Sequence, residues 1–338
     1  MTATPRPRFG RATRLLTLAL TWLPLAVLAA LVAAHLVFFA VRTGHLLRYP
    51  FTLDYGEGPL LAQVAELGKG TPIWALYRDP AQPPYLVVNY PPVYLLATWA
   101  VSILAPVLLA GRLVSLAATL AATVAIGMLA AWPRSTHIGR WPGLISSWLL
   151  ALVFAGIPIV REWAALMRVD MLGLALGLWA LVVVQRAAGT RHVLWAAPML
   201  ALSLLAKPSL VAAPIAAGLW LLFRDGRRAI WLGLLTGALL GLAVFGLQVA
   251  SGGWFTLHVV TANANTWDAR LAFQFWRDQM LIMQPLILAG VLVVAWNVWY
   301  GRLAPVQPNG AAFRAPAAVC LLPLYYTLAG LATAFGVG

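Results

Sequence analysis

Charged residues and cysteine are scarce in this sequence. Only 9% of its 338 residues are charged and 62% are apolar, against about 25% and about 45 to 50% in an ordinary soluble domain. The single cysteine, Cys320, excludes a disulfide scaffold. The composition excludes a soluble globular domain, and the long apolar runs exclude a disordered or collagen-like chain. The sequence therefore predicts an all-α, polytopic bundle of transmembrane helices.

Acidic residues are the scarcest charged group, with nine Asp and Glu against 23 Lys and Arg and a net charge of +14. In a membrane protein this surplus of basic over acidic residues is explained by arginines retained in cytoplasmic loops, so no nucleic-acid partner is expected. The sequence lacks a phosphate-binding glycine loop and a Gly-x-Ser-x-Gly motif, and its five histidines are isolated. A nucleotide-driven pump is therefore unsupported. No cofactor and no metal site are expected, and a requirement for a divalent metal is left open.

The apolar runs predict about nine membrane spans in a domain covering 15–338, preceded by a cytoplasmic tail, 1–14. The first run, 15–40, is too long for the core of a signal peptide. The run 93–108 reaches only about 24 Å as a helix, so it is expected to lie in or dip into the outer leaflet. With that assignment 13 basic residues lie inside and 10 outside, as the positive-inside rule requires. The other predicted spans are 111–131, 143–160, 171–185, 193–206, 209–223, 229–250, 280–299 and 315–335.

This topology places eight of the nine acidic residues on the outer side. The first outer loop, 42–92, carries Asp54 and Glu57 directly before an amphipathic pattern, which indicates a helix on the membrane surface. From the local pattern alone, Asp54 is equally well explained as a helix cap. Further polar residues lie in the last outer loop, 251–279. Because acids contribute little to the orientation of spans, their concentration at span ends predicts an outward-facing polar site.

Three later motifs are also placed at the outer face. The segment Asn89-Tyr90-Pro91-Pro92 is a stiff, extended element because proline fixes φ and restricts the residue before it. Arg168 and Asp170 begin a later span with little room for a loop, and a structural ion pair is an alternative explanation for them. Lys207 interrupts an apolar stretch with two basic flanks, which predicts a tight hairpin with Lys207 at its outer tip. Since a cation within the membrane is costly, an anionic partner is expected.

The motifs in this order resemble the GT-C superfamily of membrane glycosyltransferases, over roughly residues 15–280. The nearest resemblance is to the protein O-mannosyltransferase-like and aminoarabinose-transferase-like enzymes, which take sugars from polyprenyl-phosphate carriers. It implies transfer with inversion from such a donor to a hydroxyl of a lipid, glycan or protein acceptor at the outer face of the cell membrane, within the cell envelope. Such proteins usually continue beyond an apolar run like the one before Gly338, so truncation at the C-terminus is expected.

The resemblance also implies roles for individual residues. The family's acidic pair falls on Asp54 and Glu57, and Asp170 retains the acid of a later motif, so these three are the candidate catalytic residues. Two residues separate Asp54 from Glu57 where the family has adjacent acids, which leaves open which carboxylate is the general base. Asp54 is our first choice. The candidate substrate-binding residues are Lys207, Arg168, Arg112, Asn89 and Tyr90, and the three cations are expected to neutralise the lipid phosphate.

The main alternative is a polytopic transporter or flippase for lipids or sugars, in which polar residues line a route through the bilayer. The predicted spans are nearly free of charge and the carboxylates cluster at one face, which favours the transferase. A non-catalytic scaffold or lipid-binding protein is the third interpretation. The transferase hypothesis makes a structural prediction: Asp54, Glu57, Asp170 and Lys207 converge on one outward cavity, although over 150 residues of chain separate the first from the last.

Overall fold

The computed structural model describes residues 11–131, 140–264 and, with gaps, 268–284. The described chain is helical and contains no strand. Two predicted spans, 280–299 and 315–335, lie almost wholly outside the described residues. The described α-helices are α1 Arg11–Arg48, α2 Glu57–Gly68, α3 Val93–Ser102, α4 Val107–Ala130, α5 Arg140–Phe154, α6 Pro158–Trp163, α7 Asp170–Ala187, α8 Ala196–Ala206, α9 Ala212–Leu222, α10 Gly226–Ala250 and α11 Trp254–Val259.

Four described helices are long and apolar enough to cross a membrane: the part Ala26–Arg48 of α1, and the whole of α4, α7 and α10. The prediction of an all-helical chain with membrane-spanning helices is confirmed at this level. The total of nine spans and the outer position of the first loop stay predictions. Helix α3 has 10 residues, which corresponds to about 15 Å. It is therefore too short to cross by itself, as the sequence indicated.

Proline and acidic residues explain several of the helix boundaries. The predicted span 143–160 is divided in the structure, since α5 ends at Phe154 and α6 begins at Pro158, a residue suited to the first turn of a helix. Helix α7 begins at Asp170, whose negative charge is favourable at a helix N-terminus. Helix α10 is capped by Asp225, whose carboxylate accepts a hydrogen bond from the backbone N–H of Arg228. These local rules therefore operate at the ends of apolar helices.

Small residues allow α4, α7 and α8 to pack closely. The largest buried cluster of the described chain contains alanines of all three helices, among them Ala122, Ala175 and Ala197. The Ser203 hydroxyl of α8 donates a hydrogen bond of 2.7 Å to the carbonyl of Gly173 in α7. A Cβ at Gly173 would lie 2.6 Å from a Leu210 methyl group, so a larger residue there would make the Leu210 side chain shift. Such contacts between small residues are typical of helices packed in a membrane.

A second buried cluster covers one end of the bundle. It joins the first loop and α2 to α3, α7 and α11 through residues that include Val64, Tyr77, Leu95, Val169 and Phe255. The first loop is thus a packed layer, and α2 has its apolar face in that layer. This layer carries Asp54 and Glu57 to the end of the bundle where α7 begins.

Candidate functional site

Four charged side chains form one continuous series of ion pairs, which we call the ion-pair chain: Asp54, Arg168, Asp170 and Lys207. The Nη1 atom of Arg168 lies 2.5 Å from Oδ2 of Asp54, and its Nε atom lies 3.5 Å from Oδ2 of Asp170. The Nζ atom of Lys207 contacts Oδ1 of Asp170. Two carboxylates and two cations therefore alternate in contact, although they come from three distant segments of the sequence.

Each member of the ion-pair chain lies where a helix begins or ends. Asp54 precedes α2, Arg168 lies between α6 and α7, Asp170 is the first residue of α7, and Lys207 follows the last residue of α8. The chain forms the predicted break around Lys207, since α8 ends at Ala206 and α9 begins at Ala212, while the outer position of this tip stays a prediction. Helix ends place polar side chains at one face of the bundle without breaking the backbone hydrogen bonds of a span.

Close packing holds Arg168 against the turn that carries Asp54. A Cβ added at Gly56 would lie 2.6 Å from Nη1 of Arg168 and 3.0 Å from Oδ2 of Asp54, so only glycine fits there without a shift. The backbone N–H of Gly56 also donates to Oδ2 of Asp54 at 3.0 Å. On the other side, the Ser115 hydroxyl of α4 donates to the Arg168 carbonyl at 3.0 Å. The guanidinium is therefore positioned from both directions.

Two aromatic rings, which the sequence analysis did not select, flank the guanidinium of Arg168. Its central carbon lies 4.7 Å from the ring centroid of Trp163 and 5.3 Å from that of Tyr55. Nζ of Lys207 lies 5.9 Å from the Trp163 ring, so one indole serves both cations. The signal that would have found Trp163 is its place in the short segment that also carries Arg168 and Asp170.

The pKa of Arg168 is raised above its ordinary value. Burial opposes the charged form, but the charge of Asp170 and the contacts with Tyr55 and Asp54 outweigh it. The guanidinium is therefore a permanent cation, in keeping with the usual behaviour of arginine.

The ion-pair chain is exposed at both ends and unsatisfied in the middle. The side chain of Asp54 is 20% exposed and that of Lys207 is 25% exposed. Oδ1 of Asp54 accepts no hydrogen bond from any described residue. Oδ2 of Asp170 is buried and also has no hydrogen-bond donor within the described chain. Buried polar atoms are usually satisfied, so Oδ2 of Asp170 is a free acceptor that a water or a ligand donor would satisfy.

Glu57 and Arg112 form a separate pair that is closed to solvent, with the Glu57 side chain 0% and the Arg112 side chain 1% exposed. Nε and Nη2 of Arg112 each donate to one oxygen of Glu57 at 3.0 Å. The backbone N–H groups of Met167 and Leu53 donate to the same two oxygens at 2.9 and 2.7 Å. Burial raises the pKa of Glu57, but these hydrogen bonds and the charge of Arg112 outweigh it and lower the pKa.

Arg112 uses all its remaining donors on backbone carbonyls. Nη1 donates to the carbonyls of Leu46 and Tyr49, each at 2.6 Å, and Nη2 donates to that of Phe51 at 2.8 Å. Arg112 thus ties α4 to the end of α1 and to the start of the first loop. This geometry gives Arg112 a structural role, while its expected contact with substrate stays a prediction. The rule applied to Lys207, that a cation in an apolar helix needs an acidic partner, would also have found this pair.

Asn89 and Tyr90 lie apart from the ion-pair chain in their described contacts. The Asn89 carbonyl accepts a hydrogen bond of 2.7 Å from Nδ2 of Asn263, and the Tyr90 carbonyl accepts one of 2.9 Å from the hydroxyl of Tyr77. Their backbone atoms thus hold the first loop in place. Oδ1 of Asn89 is buried without a donor among the described residues, so its side chain stays a candidate for substrate binding.

His258 joins α11 to the first loop and is 0% exposed. Its Nδ1 accepts a hydrogen bond of 3.0 Å from the backbone N–H of Val88. Nε2 therefore carries the proton of the neutral ring and donates it to the Arg78 carbonyl at 2.7 Å. From the sequence, His258 is one of the polar residues of the loop 251–279, and the structure shows a buried histidine that fixes the packed layer.

The described part of the chain contains no group of three or more His, Cys, Asp and Glu side chains that would hold a metal ion. Comparison with protein-family models, with curated proteins and with solved structures found no match to this chain. The class of protein that the described structure defines is therefore a helical membrane protein with a charged site at one end. A more specific assignment rests on the chemistry of that site.

Proposed function

We propose that this chain is an integral-membrane glycosyltransferase that moves a sugar from a polyprenyl-phosphate carrier to an acceptor hydroxyl at the outer face of the membrane. The observation that carries the proposal is the ion-pair chain. It joins a partly exposed carboxylate, Asp54, to Arg168 and, through the buried Asp170, to Lys207, in a chain of which only 9% is charged. Charged groups in a membrane bundle are costly, and they mark functional sites by default.

The proposed reaction needs one base and a site for a departing phosphate. Asp54 accepts the proton of the acceptor hydroxyl, whose oxygen attacks the anomeric carbon of the sugar. The bond between that carbon and the phosphate oxygen breaks, and the lipid phosphate leaves with the electron pair. Direct displacement with one base inverts the anomeric carbon.

Lys207 and Arg168 are the proposed phosphate contacts. Arginine offers a planar set of donors and lysine a compact point charge, and both suit a phosphate that gains negative charge as the bond breaks. Asp170 contacts both cations, and we assign it the role of holding them side by side. Glu57, which is buried and fully hydrogen-bonded, supports the turn that presents Asp54.

An apolar cavity supports the lipid part of the proposal. A cavity of about 470 Å³ lies among α3, α4, α7 and α8, and its lining includes Val114, Leu172 and Trp179. Leu172 is two residues from Asp170, and Val114 adjoins Ser115, whose hydroxyl binds the Arg168 carbonyl. An isoprenoid chain is apolar and flexible, so a cavity of this lining suits it.

The test is sugar transfer by the purified full-length protein from a panel of radiolabelled polyprenyl-phosphate sugars, with Asp54→Asn beside a matched control. We expect Asp54→Asn to lower turnover by about 10² or more, the usual scale for a lost general base. The control is Asp79→Asn, in the same loop. Its Oδ1 accepts from the N–H two residues on, at Ala81, as Asp54 does from Gly56. Asp79→Asn is expected to keep wild-type turnover.

Three results would change the assignment. Equal turnover of Asp54→Asn and the wild type, with Glu57→Gln folded but inactive, moves the base to Glu57. Wild-type turnover in both variants contradicts the transferase proposal. Movement of the lipid across proteoliposomes without sugar transfer supports the transporter alternative.

A further inference from the structure

Exposed arginines surround the end of the bundle opposite the ion-pair chain. Helix α7 begins at Asp170 and ends at Ala187, which places its two ends about 27 Å apart. At the far end, α7 and α9 finish while α8 and α10 start, and Val193, Trp220 and Leu232 share one buried cluster there. Four exposed arginines lie around this end, and we call them the basic rim: Arg186, Arg191, Arg224 and Arg227.

The one described acid at this end does not neutralise the basic rim. Asp225 is paired with Arg228, and its other oxygen accepts the backbone N–H of the same residue. No side chain of the basic rim forms an ion pair or donates a hydrogen bond to another described residue. The guanidinium of Arg224 stacks on the buried Trp220 at 4.1 Å, which orders it while its N–H donors stay available.

Large apolar side chains stand beside these arginines in the sequence and are exposed with them. Trp195 is 70% exposed, Phe223 is 74% exposed and Leu222 is 54% exposed. Aromatic and apolar side chains next to arginine are typical of the boundary between hydrocarbon and headgroups. A soluble acidic protein would not cover such apolar side chains at the lipid boundary, whereas lipid molecules contact both kinds of group at once.

We propose that the basic rim binds the phosphate headgroups of anionic membrane lipids, with their acyl chains against Trp195, Leu222 and Phe223. The positive-inside rule accounts for arginines on one side of a membrane. It does not explain why exposed apolar side chains stand between these guanidinium groups, none of which forms an ion pair with another described residue. Guanidinium groups bind phosphate oxygens bidentately, which suits a headgroup phosphate. This inference is independent of the transferase proposal, because no residue of the ion-pair chain takes part.

The test measures lipid retained by the full-length protein in detergent micelles by native mass spectrometry. The probes are phosphatidylglycerol, neutral phosphatidylcholine, and inorganic phosphate as a soluble competitor. We expect preferential retention of phosphatidylglycerol. The double variant Arg224→Gln/Arg227→Gln is expected to weaken that retention roughly 30-fold, from the usual contribution of two arginines at an anionic surface. A second double variant, Arg186→Gln/Arg191→Gln, should show a loss of similar size if the rim acts as one site.

The charge-matched control is Arg48→Gln/Lys69→Gln, which removes two exposed cations at the opposite end of the bundle. Retention equal to that of the wild type in this control, with losses in both rim variants, supports the proposal. Equal losses in all three double variants would show that only net charge matters and would overturn it. Lack of any preference for phosphatidylglycerol in the wild type would overturn it as well. Displacement of the lipid by equimolar inorganic phosphate would assign the rim to soluble anions instead.

Discussion

The two charged sites of this protein share two segments of the chain, yet they are opposite in character. Asp54 and Glu57 come from one turn, and their partners involve the adjacent residues Arg168 and Met167. The Glu57–Arg112 pair is closed to solvent and each of its atoms is satisfied. The ion-pair chain is open at its ends and has an unused acceptor at Asp170.

The difference separates a structural role from a chemical one. A buried pair whose hydrogen bonds are complete holds the backbone in place, and it offers nothing to a ligand. In an ion-pair chain with exposed ends, a side chain can exchange its present partner for a group of the substrate. The substrate's anion or hydroxyl then replaces an existing contact, so no additional charge is buried without a partner. The closed pair therefore sets the geometry of the turn, and the open chain uses that geometry.

The largest effect is expected when the closed pair is broken. Arg112→Ala leaves Glu57 buried without its cation and removes three contacts to backbone carbonyls. We expect the free energy of unfolding to fall by about 3 to 5 kcal/mol, the usual cost of an orphaned buried charge. Denaturation in mixed micelles measures it. Lys69→Ala removes an exposed partner of Glu66 and should cost less than about 1 kcal/mol. Similar stabilities for the two variants would show that the closed pair is not structural.

The next effect concerns the bridge within the ion-pair chain. One guanidinium contacts Asp54 through Nη1 and Asp170 through Nε, and the single nitrogen of lysine cannot do both. We expect Arg168→Lys to lower turnover by about tenfold or more, which corresponds to one lost hydrogen bond to a charged group. The control is Arg277→Lys, in an exposed pair with Asp278. An unchanged rate in Arg168→Lys means that charge alone matters at this position.

A smaller effect should follow from a change that alters no charge. A methyl group at Gly56 displaces the end of the Arg168 side chain from Asp54, while the backbone there, at φ −80°, accepts alanine. We expect Gly56→Ala to fold normally and to lower turnover about threefold, since the contact is weakened but not removed. In Gly58→Ala the new methyl group meets nothing within 4 Å, so this variant should match the wild type. Equal rates for both variants would contradict the proposed geometry.

The smallest effect is expected from pH near neutrality. The pKa of Glu57 is lowered from the ordinary 4.5 in the folded protein, so its stabilising contribution is complete above that value. It is lost as the pH falls through the lower folded pKa. The unfolding temperature in detergent, measured at a series of pH values, should therefore show no effect of Glu57 down to about pH 4.5. Below that pH it should fall. A loss of stability that is centred above pH 4.5 and that Glu57→Gln abolishes would contradict the lowered pKa of Glu57.

The free-energy cost of a charge in hydrocarbon and the periodicity of apolar residues made part of this structure predictable from the sequence. Lysine within an apolar stretch predicted a hairpin tip and an acidic partner at Lys207, and the structure supplies both. The amphipathic pattern after Glu57 predicted a helix whose apolar face includes Leu60 and Val64, and both are buried in α2. These predictions succeed because the periodicity of apolar residues and the free-energy cost of a charge in hydrocarbon depend little on the rest of the fold.

The pairings between side chains of distant segments could not be predicted from the sequence. Asp54 and Glu57 are chemically alike and three residues apart, so only the turn between them decides which one meets Arg112 and which meets Arg168. In the amphipathic pattern of α2, Gln63 falls on the polar face, but in the structure it is buried and its amide donates to the Val87 carbonyl at 3.0 Å. Local patterns cannot report such contacts, since the partner lies on another element.

The short hairpin of α8 and α9 affects the membrane around it. Each helix has 11 residues, or about 16 Å, roughly half the thickness of the hydrocarbon core. We expect lipids that contact the hairpin to thin or tilt to match its length. Water can then reach the Lys207 ammonium within a local depression of the bilayer. A lipid-linked substrate approaching this side would travel a shorter distance out of the hydrocarbon, because the boundary of the thinned bilayer would lie closer to the site.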